Sequence, residues 1–166
     1  MKKFLTLTVL TVTVLIGIWF IMFNVCFPLQ YRQEILAATK TYQVDPVLVA
    51  SLINAESSFN KNKVSPKHAV GLMQLLPSTA ASLTNEEIDL FDPATNISLG
   101  VKYLAYLINK FKDTDTALFA YNAGEGNVTR WLSERGETRL TTCPYKETNA
   151  YVAKIKRTMK YYRGRI

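Results

Sequence analysis

From Phe4 to Gln30 the chain carries no charged side chain, and Lys2 and Lys3 stand directly before this run. As a helix, Phe4 to Pro28 would measure about 37 Å, longer than a bilayer hydrocarbon core of about 30 Å. A cleavable export signal has a shorter apolar core and a small-residue exit site, and no Ala-x-Ala stands near the end of this run. Phe23-Asn24-Val25 before Cys26 does not match a lipoprotein box either, since a small residue is wanted there. Nothing breaks the apolarity on any face, which disfavours a one-sided core helix. The expectation is an uncleaved single-pass anchor over residues 4–28, with Lys2 and Lys3 on the cytoplasmic side. The alternative is a long signal peptide cut near residue 30. Both place the remainder outside the cytoplasm. The chain therefore divides into an anchor or uncleaved signal at 1–29 and one exported domain at 30–166, expected to be a monomer.

The remainder has few residues for redox or metal chemistry. With two cysteines and one histidine in 166 residues, a disulfide scaffold, a zinc ribbon, an iron–sulfur protein and a Ser-His-Asp triad are all disfavoured. No metal and no cofactor are expected. Cys143 is the one cysteine of the exported part, hence a free or buried thiol, with no base near it in sequence to activate it. The net charge is +7, and Lys154, Lys156, Arg157, Lys160, Arg163 and Arg165 crowd the C-terminus without an acidic neighbour. Such an end suits an anionic lipid surface or wall polymer, or is a solvated helix face. Nucleic acid is not an expected partner for an exported domain.

Hydrophobic periodicity predicts a mostly α domain of six or seven short helices and no strand. Residues 31–42 make the first. Asp45-Pro46 is an N-cap followed by proline at the first helical position, opening a helix to about Ser57. Residues 61–71 read as a loop. Asp92-Pro93 is a second start signal, and Ile97, Val101, Leu104, Ile108 and Phe111 recur at helical spacing over 95–111. Residues 115–122 form a helix stopped by Asn122-Ala123-Gly124, 126–134 another, and a last one begins near Lys146 with Tyr151, Ile155, Met159 and Tyr162 as its stripe.

Four segments carry polar groups suited to chemistry. In the helix 46–57, Glu56 continues the stripe of Val49, Leu52 and Ile53, so a carboxyl sits on the face that packs inward, at the negative end of the helix dipole. Desolvation and dipole both favour the neutral acid, the state a glycosidase general acid needs. The alternative is a glutamate at a frayed helix end that swings into water, and the pattern alone leaves both open. Gln74 is an amide inside the apolar run Gly71–Pro77. Ala120-Tyr121-Asn122-Ala123-Gly124 sets two polar groups among small residues, or merely caps a helix. Tyr145 and Tyr151 flank the start of the last helix, as sugar-stacking faces or as core.

Taken in order, Glu56-Ser57-Ser58-Phe59-Asn60, Gly71-Leu72-Met73-Gln74, Ala120-Tyr121-Asn122-Ala123-Gly124 and Tyr145-x-Glu147-Thr148-x-x-Tyr151 resemble the soluble lytic transglycosylase (SLT) domain. This is glycoside hydrolase family 23, related to goose-type lysozyme. The resemblance covers roughly residues 31–157. It implies a lysozyme-like fold and peptidoglycan as substrate, cleaved at the β-1,4 bond between N-acetylmuramic acid and N-acetylglucosamine. It implies Glu56 as the single catalytic acid and base, with the muramyl C6 hydroxyl attacking C1 to leave a 1,6-anhydro end. A nucleophile tethered within the substrate has high effective molarity, so no second carboxylate is required. By the same matching Ser65, Gln74, Tyr121, Asn122 and Glu147 line the cleft, and Ser57 orients Glu56 or caps its helix. Tyr121 steadies Glu56 or the substrate acetamido group, and Met73 and Tyr151 form apolar walls. The rival readings are a water-using muramidase and a catalytically silent glycan-binding module.

Two positions depart from the family's habit. His68 stands where many relatives carry glycine, which costs energy if the backbone there needs positive φ. Leu76 stands where methionine is frequent, a swap that preserves volume.

Overall fold

The computed structural model describes residues 2–166, with side chains from Leu10 onward. Eight helices follow in order: α1 (Lys2–Cys26), α2 (Arg32–Tyr42), α3 (Pro46–Glu56), α4 (Pro77–Leu83), α5 (Pro93–Phe111), α6 (Thr114–Ala123), α7 (Glu125–Arg135) and α8 (Lys146–Tyr162). Among the described residues the only β-pairing is two isolated bridges, Val64 with Val70 and Val70 with Leu75, inside the loop between α3 and α4.

The domain is built around α3. Every residue from Leu48 to Asn54 is buried, and a helix apolar on all sides belongs in the interior. Its start follows from the sequence: Pro46 takes the first turn, and the Asp45 carboxylate accepts the Val47 N–H at 2.8 Å. α3 lies against α2 and α8, while α5 packs on α2, α4 and α6. Leu52, Ile53, Ile97, Leu104, Leu118 and Ile155 are fully buried at their junction, each contributing about 1.5–3 kcal/mol of transfer free energy.

Two expectations need adjustment. α4 was not expected; its Leu76-Pro77 start is a legitimate signal, but the helix is short and only Ala80 is buried on it. The inward face of α8 is Thr148, Val152, Ile155, Thr158 and Tyr162, so the stripe is rotated from the expected one, with Tyr151 and Met159 at its edge. That rotation turns Tyr151 toward the end of α3.

Residues 4–28, expected to cross a membrane, fall mostly within α1. Among the described residues no helix is long and apolar enough to cross a membrane. Phe4 to Val9 lie outside the described side chains. Those from Leu10 to Met22 stand away from the domain core, with Leu10 60% and Trp19 64% exposed, whereas Phe23, Asn24 and Phe27 at the end of the run are half-buried against it.

Candidate active site

α3 ends in a cleft. Its last residue, Glu56, is half-buried in the cleft wall, and Ser65, Pro66, Lys67, Ala69, Gln74, Leu76, Tyr121, Asn122 and Glu147 line the rest of a space of about 410 Å³. Six of the nine expected site residues thus share one cavity: Glu56, Ser65, Gln74, Tyr121, Asn122 and Glu147. Ser57, Met73 and Tyr151 do not line it, and each has another place in the structure.

Tyr151 reaches across from α8 and donates its phenol hydrogen bond to Glu56 Oε1 at 2.6 Å. Tyr121, expected to steady Glu56 or the substrate acetamido group, lines the cleft and donates to the Met73 carbonyl at 2.9 Å. Tyr151, expected as an apolar wall, is the phenol that holds Glu56. Which phenol reaches the carboxyl is set by the crossing of α3 and α8, a tertiary fact that no local pattern encodes. Met73 is fully buried, seated in the notch left by Gly100, where an added Cβ would lie 2.4 Å from its sulfur. Ser57 is buried too, and its hydroxyl bonds the Leu72 carbonyl at 2.8 Å and that of Ile53 at 3.2 Å. It fastens the end of α3 to the Gly71–Gln74 segment and does not face the cleft.

Burial pushes the Glu56 carboxyl up to about 7, against the opposing pull of the Tyr151 hydrogen bond and of the Lys63 and Lys154 charges. Desolvation is the larger effect: one phenol hydrogen bond replaces only part of the hydration a carboxylate loses, and the two ammonium charges act at longer range. Lys63 also donates its ammonium to the Glu56 backbone carbonyl, which places a cation at the negative end of the α3 dipole. Burial, reinforced by the Glu56 charge, holds both phenols well above the usual tyrosine range. They are donors at any working pH.

The loop that forms the cleft floor is held from behind by Asn96 of α5, only 1% exposed. Its Oδ1 accepts the Met73 N–H at 2.8 Å, and its Nδ2 donates to the carbonyls of Val70 at 3.0 Å and Leu90 at 2.9 Å. Gly71, at φ +80°, allows this approach, since a Cβ there would sit 2.1 Å from Asn96 Nδ2. In sequence Asn96 shows only as part of a chance glycosylation pattern. The available signal was an amide on the buried face of α5, next to Ile97. Gln74, at φ 49°, spends its amide on the Lys63 and Gly71 carbonyls at 3.0 and 2.9 Å, so its Oε1 remains the atom available to the cleft. His68 does adopt positive φ, 61°, which confirms the conformation that its departure from glycine put in question.

The far wall comes from α6 and α8. The Thr148 hydroxyl donates to Asn122 Oδ1 at 2.8 Å, which fixes the Asn122 amide so that its N–H groups are free to face the cleft. Glu147, one residue earlier, is exposed in the first turn of α8. Behind them Asn149 organises the approach to α8. It accepts from Cys143 N–H at 3.0 Å and donates to the Cys143 and Tyr145 carbonyls at 2.7 and 2.9 Å. Cys143 is a buried free thiol, and Tyr145 meets Trp131 edge-on at 5.1 Å.

Residues 33–143 match the family described as the transglycosylase SLT domain. The chain is 42% identical over 105 residues to a transglycosylase of Enterobacteria phage PRD1, covering 62% of this chain and 38% of the phage protein. It is 32% identical over 169 residues to membrane-bound lytic murein transglycosylase C of Shigella sonnei, covering 82% of this chain and 47% of that one. It thus spans less than half the length of either relative. Among solved structures, an inactive Glu→Gln variant of lytic transglycosylase Slt from Pseudomonas aeruginosa superposes with a TM-score of 0.72 at 26% identity, over 84% of this chain and 25% of that one. The mostly helical, lysozyme-like fold is therefore shared, and the chain belongs to the transglycosylase SLT domain family.

Proposed function

We propose that this protein is a peptidoglycan lytic transglycosylase that cleaves the β-1,4 bond between N-acetylmuramic acid and N-acetylglucosamine without water. The observation that carries the reading is Glu56: a carboxyl raised to about 7 by burial, at the edge of a cleft that also presents Ser65, Gln74, Tyr121 and Asn122. With Oε1 engaged by Tyr151, Oε2 is the oxygen left to face the glycan. Its proton passes to the leaving glycosidic oxygen as the C1–O bond breaks. The Tyr151 hydrogen bond strengthens as the carboxylate forms, because charge-assisted bonds are about twice as strong as neutral ones. Glu56 then takes the proton of the muramyl C6 hydroxyl as that oxygen bonds to C1, closing the 1,6-anhydro ring and leaving Glu56 protonated for the next turnover. Asn122 and Gln74 amides, with the Ser65 hydroxyl, suit the acetamido and hydroxyl groups of the sugars.

One observation favours a second reading. Glu147 lines the same cleft from a solvated position, and a buried acid facing a solvated carboxylate is also the layout of a water-using muramidase. Digestion of purified peptidoglycan by the full chain, followed by mass spectrometry before and after borohydride, separates the two. The proposal expects fragments one water lighter with non-reducible ends, lost in Glu56→Gln and retained in Glu147→Gln. Reducible ends, lost in both variants, would establish the muramidase instead. Glycan binding without cleavage by the wild type would leave a silent binding module.

The reading includes location. The uncharged run Phe4–Gln30 behind Lys2 and Lys3, together with the exposed apolar side chains of α1, supports α1 as a single-pass anchor with the cleft on the extracytoplasmic side. The described relatives include one named as membrane-bound. The enzyme then works on glycan close to the membrane. Protease protection of the N-terminus, but not of the domain, in right-side-out vesicles is the expected result.

A further inference from the structure

The residues that close α8 meet the end of α1. Arg165 Nη1 donates to the Phe27 carbonyl at 2.9 Å and Nη2 to Asn24 Oδ1 at 3.2 Å, and the Tyr162 hydroxyl donates to the Pro28 carbonyl at 3.0 Å. Tyr161 stacks on Phe27 with ring centroids 4.0 Å apart and meets Phe23 edge-on at 5.9 Å. The Arg165 guanidinium lies 5.0 Å from the Phe23 ring centroid. Tyr162 is fully buried and also packs on Phe59, three residues past Glu56, at 6.2 Å. The end of α1 is therefore gripped on the same side chain that seals the core beside α3, not tethered through a loose linker.

The grip has a level relative to a bilayer, and this step rests on α1 being the anchor proposed above. A hydrocarbon core of about 30 Å takes about 20 helical residues. Counted from Phe4, these end near Phe23, so Asn24 to Pro28 fall in the headgroup layer. Arg165, Tyr161 and Tyr162 touch those residues and fall there as well, where aromatic rings and cations are the preferred side chains. Arg157 and Lys160, three residues apart and so on one helix face, are exposed with Arg163 just beyond. Among the described residues none of the three forms an ion pair, whereas Lys156 on the neighbouring face is occupied by Asp115.

We propose that the C-terminal turn of α8 is a membrane-surface clasp. Tyr161, Tyr162 and Arg165 lock the domain to the exit of α1, while Arg157, Lys160 and Arg163 take the phosphates of anionic phospholipid headgroups. The cleft is thereby held at a fixed attitude to the bilayer. A polybasic segment beside a membrane gains affinity for an anionic surface with each cation that reaches it, and here the anchor removes the cost of bringing it there.

The test uses the full chain in nanodiscs of phosphatidylcholine alone or with one quarter phosphatidylglycerol, each doped with a gadolinium-chelate headgroup lipid, and reads amide broadening by NMR. The clasp predicts broadening concentrated on residues 157–166, stronger with phosphatidylglycerol. Arg157→Glu/Lys160→Glu/Arg163→Glu should abolish that increment with peptidoglycan digestion unchanged. Arg165→Ala should spread the broadening evenly over the domain. Even broadening in the wild type, with α1 amides protected from exchange, would overturn the clasp alone. α1 amides exchanging freely would overturn the anchor and the clasp with it. A triple variant that loses binding to isolated wall but keeps its lipid response would assign the cations to wall polymer and overturn the lipid reading.

Discussion

One irregular segment lines the cleft and another leads into α8, and each is organised by one asparagine from a neighbouring helix. The Ser57–Leu76 segment hangs on Asn96 of α5, and the segment from Gly136 to Tyr145 hangs on Asn149 of α8. The device is the same because the problem is the same: loop backbone without a ladder must pair its polar groups elsewhere. What differs is strain. The first segment holds Ser58, Phe59, His68 and Gln74 in left-handed backbone as well as Gly71, whereas the second has only Gly136, its helix-capping glycine, there. The strained segment forms the cleft floor. The relaxed one only seats the start of α8. Left-handed non-glycine residues persist where surroundings over-determine them, and such places are enriched in function.

Asn96→Ala breaks the comparison hardest. It strands the Met73 N–H and the Leu90 carbonyl in a dry interior and leaves the Val70 carbonyl with the Leu75 N–H alone, so a loss of about 3–5 kcal/mol is expected, with peptidoglycan digestion abolished as the floor collapses. Urea unfolding and a digestion assay check both. Gly71→Ala attacks the same hub from the other side. Its new Cβ would meet Asn96 and the Leu90 carbonyl, 2.5 Å away, at a positive φ, and should cost about 2–4 kcal/mol. Asn149→Ala, by contrast, should cost about 1–2 kcal/mol and leave digestion within a few-fold of wild type. If it were as damaging to activity as Asn96→Ala, the distinction between strained floor and relaxed seat would fail. The smallest effect sharpens the strain argument. His68→Gly relieves the left-handed penalty but loosens the unfolded chain, for a net gain below about 1 kcal/mol in thermal stability.

Sequence legibility follows the same division. α2, α3, α5, α6, α7 and α8 were readable because caps and periodicity are local, and Asp45-Pro46 and Asp92-Pro93 mark their helices to the residue. Glu56 stands out locally as a carboxyl continuing an apolar stripe, but that pattern fits a frayed helix end as well, and the resemblance of the four segments to the SLT domain is what singles it out. α4 buries too little to show a period. The Tyr151 bond to Glu56, the burial of Met73 against Gly100, and the Asn96 hub all depend on how helices cross, over separations of 23 to 95 residues. So does the meeting of α1 with Arg165, 138 residues from Phe27.

The central claim is that burial keeps Glu56 protonated near neutral pH against the pull of Tyr151. An acid whose folded pKa is raised contributes stability that is fully present below its unfolded value of 4.5 and lost as pH rises through about 7. Folding stability should fall over that window in wild type and not in Glu56→Gln, and cleavage should fall as pH rises above it. The direct measurement is carboxyl carbon-13 NMR titration of Glu56 in wild type and in Tyr151→Phe. The account predicts a midpoint near 7 in wild type and a higher one in the variant, because the lost hydrogen bond favoured the charged form. A wild-type midpoint near 4.5, unmoved by the variant, would contradict it.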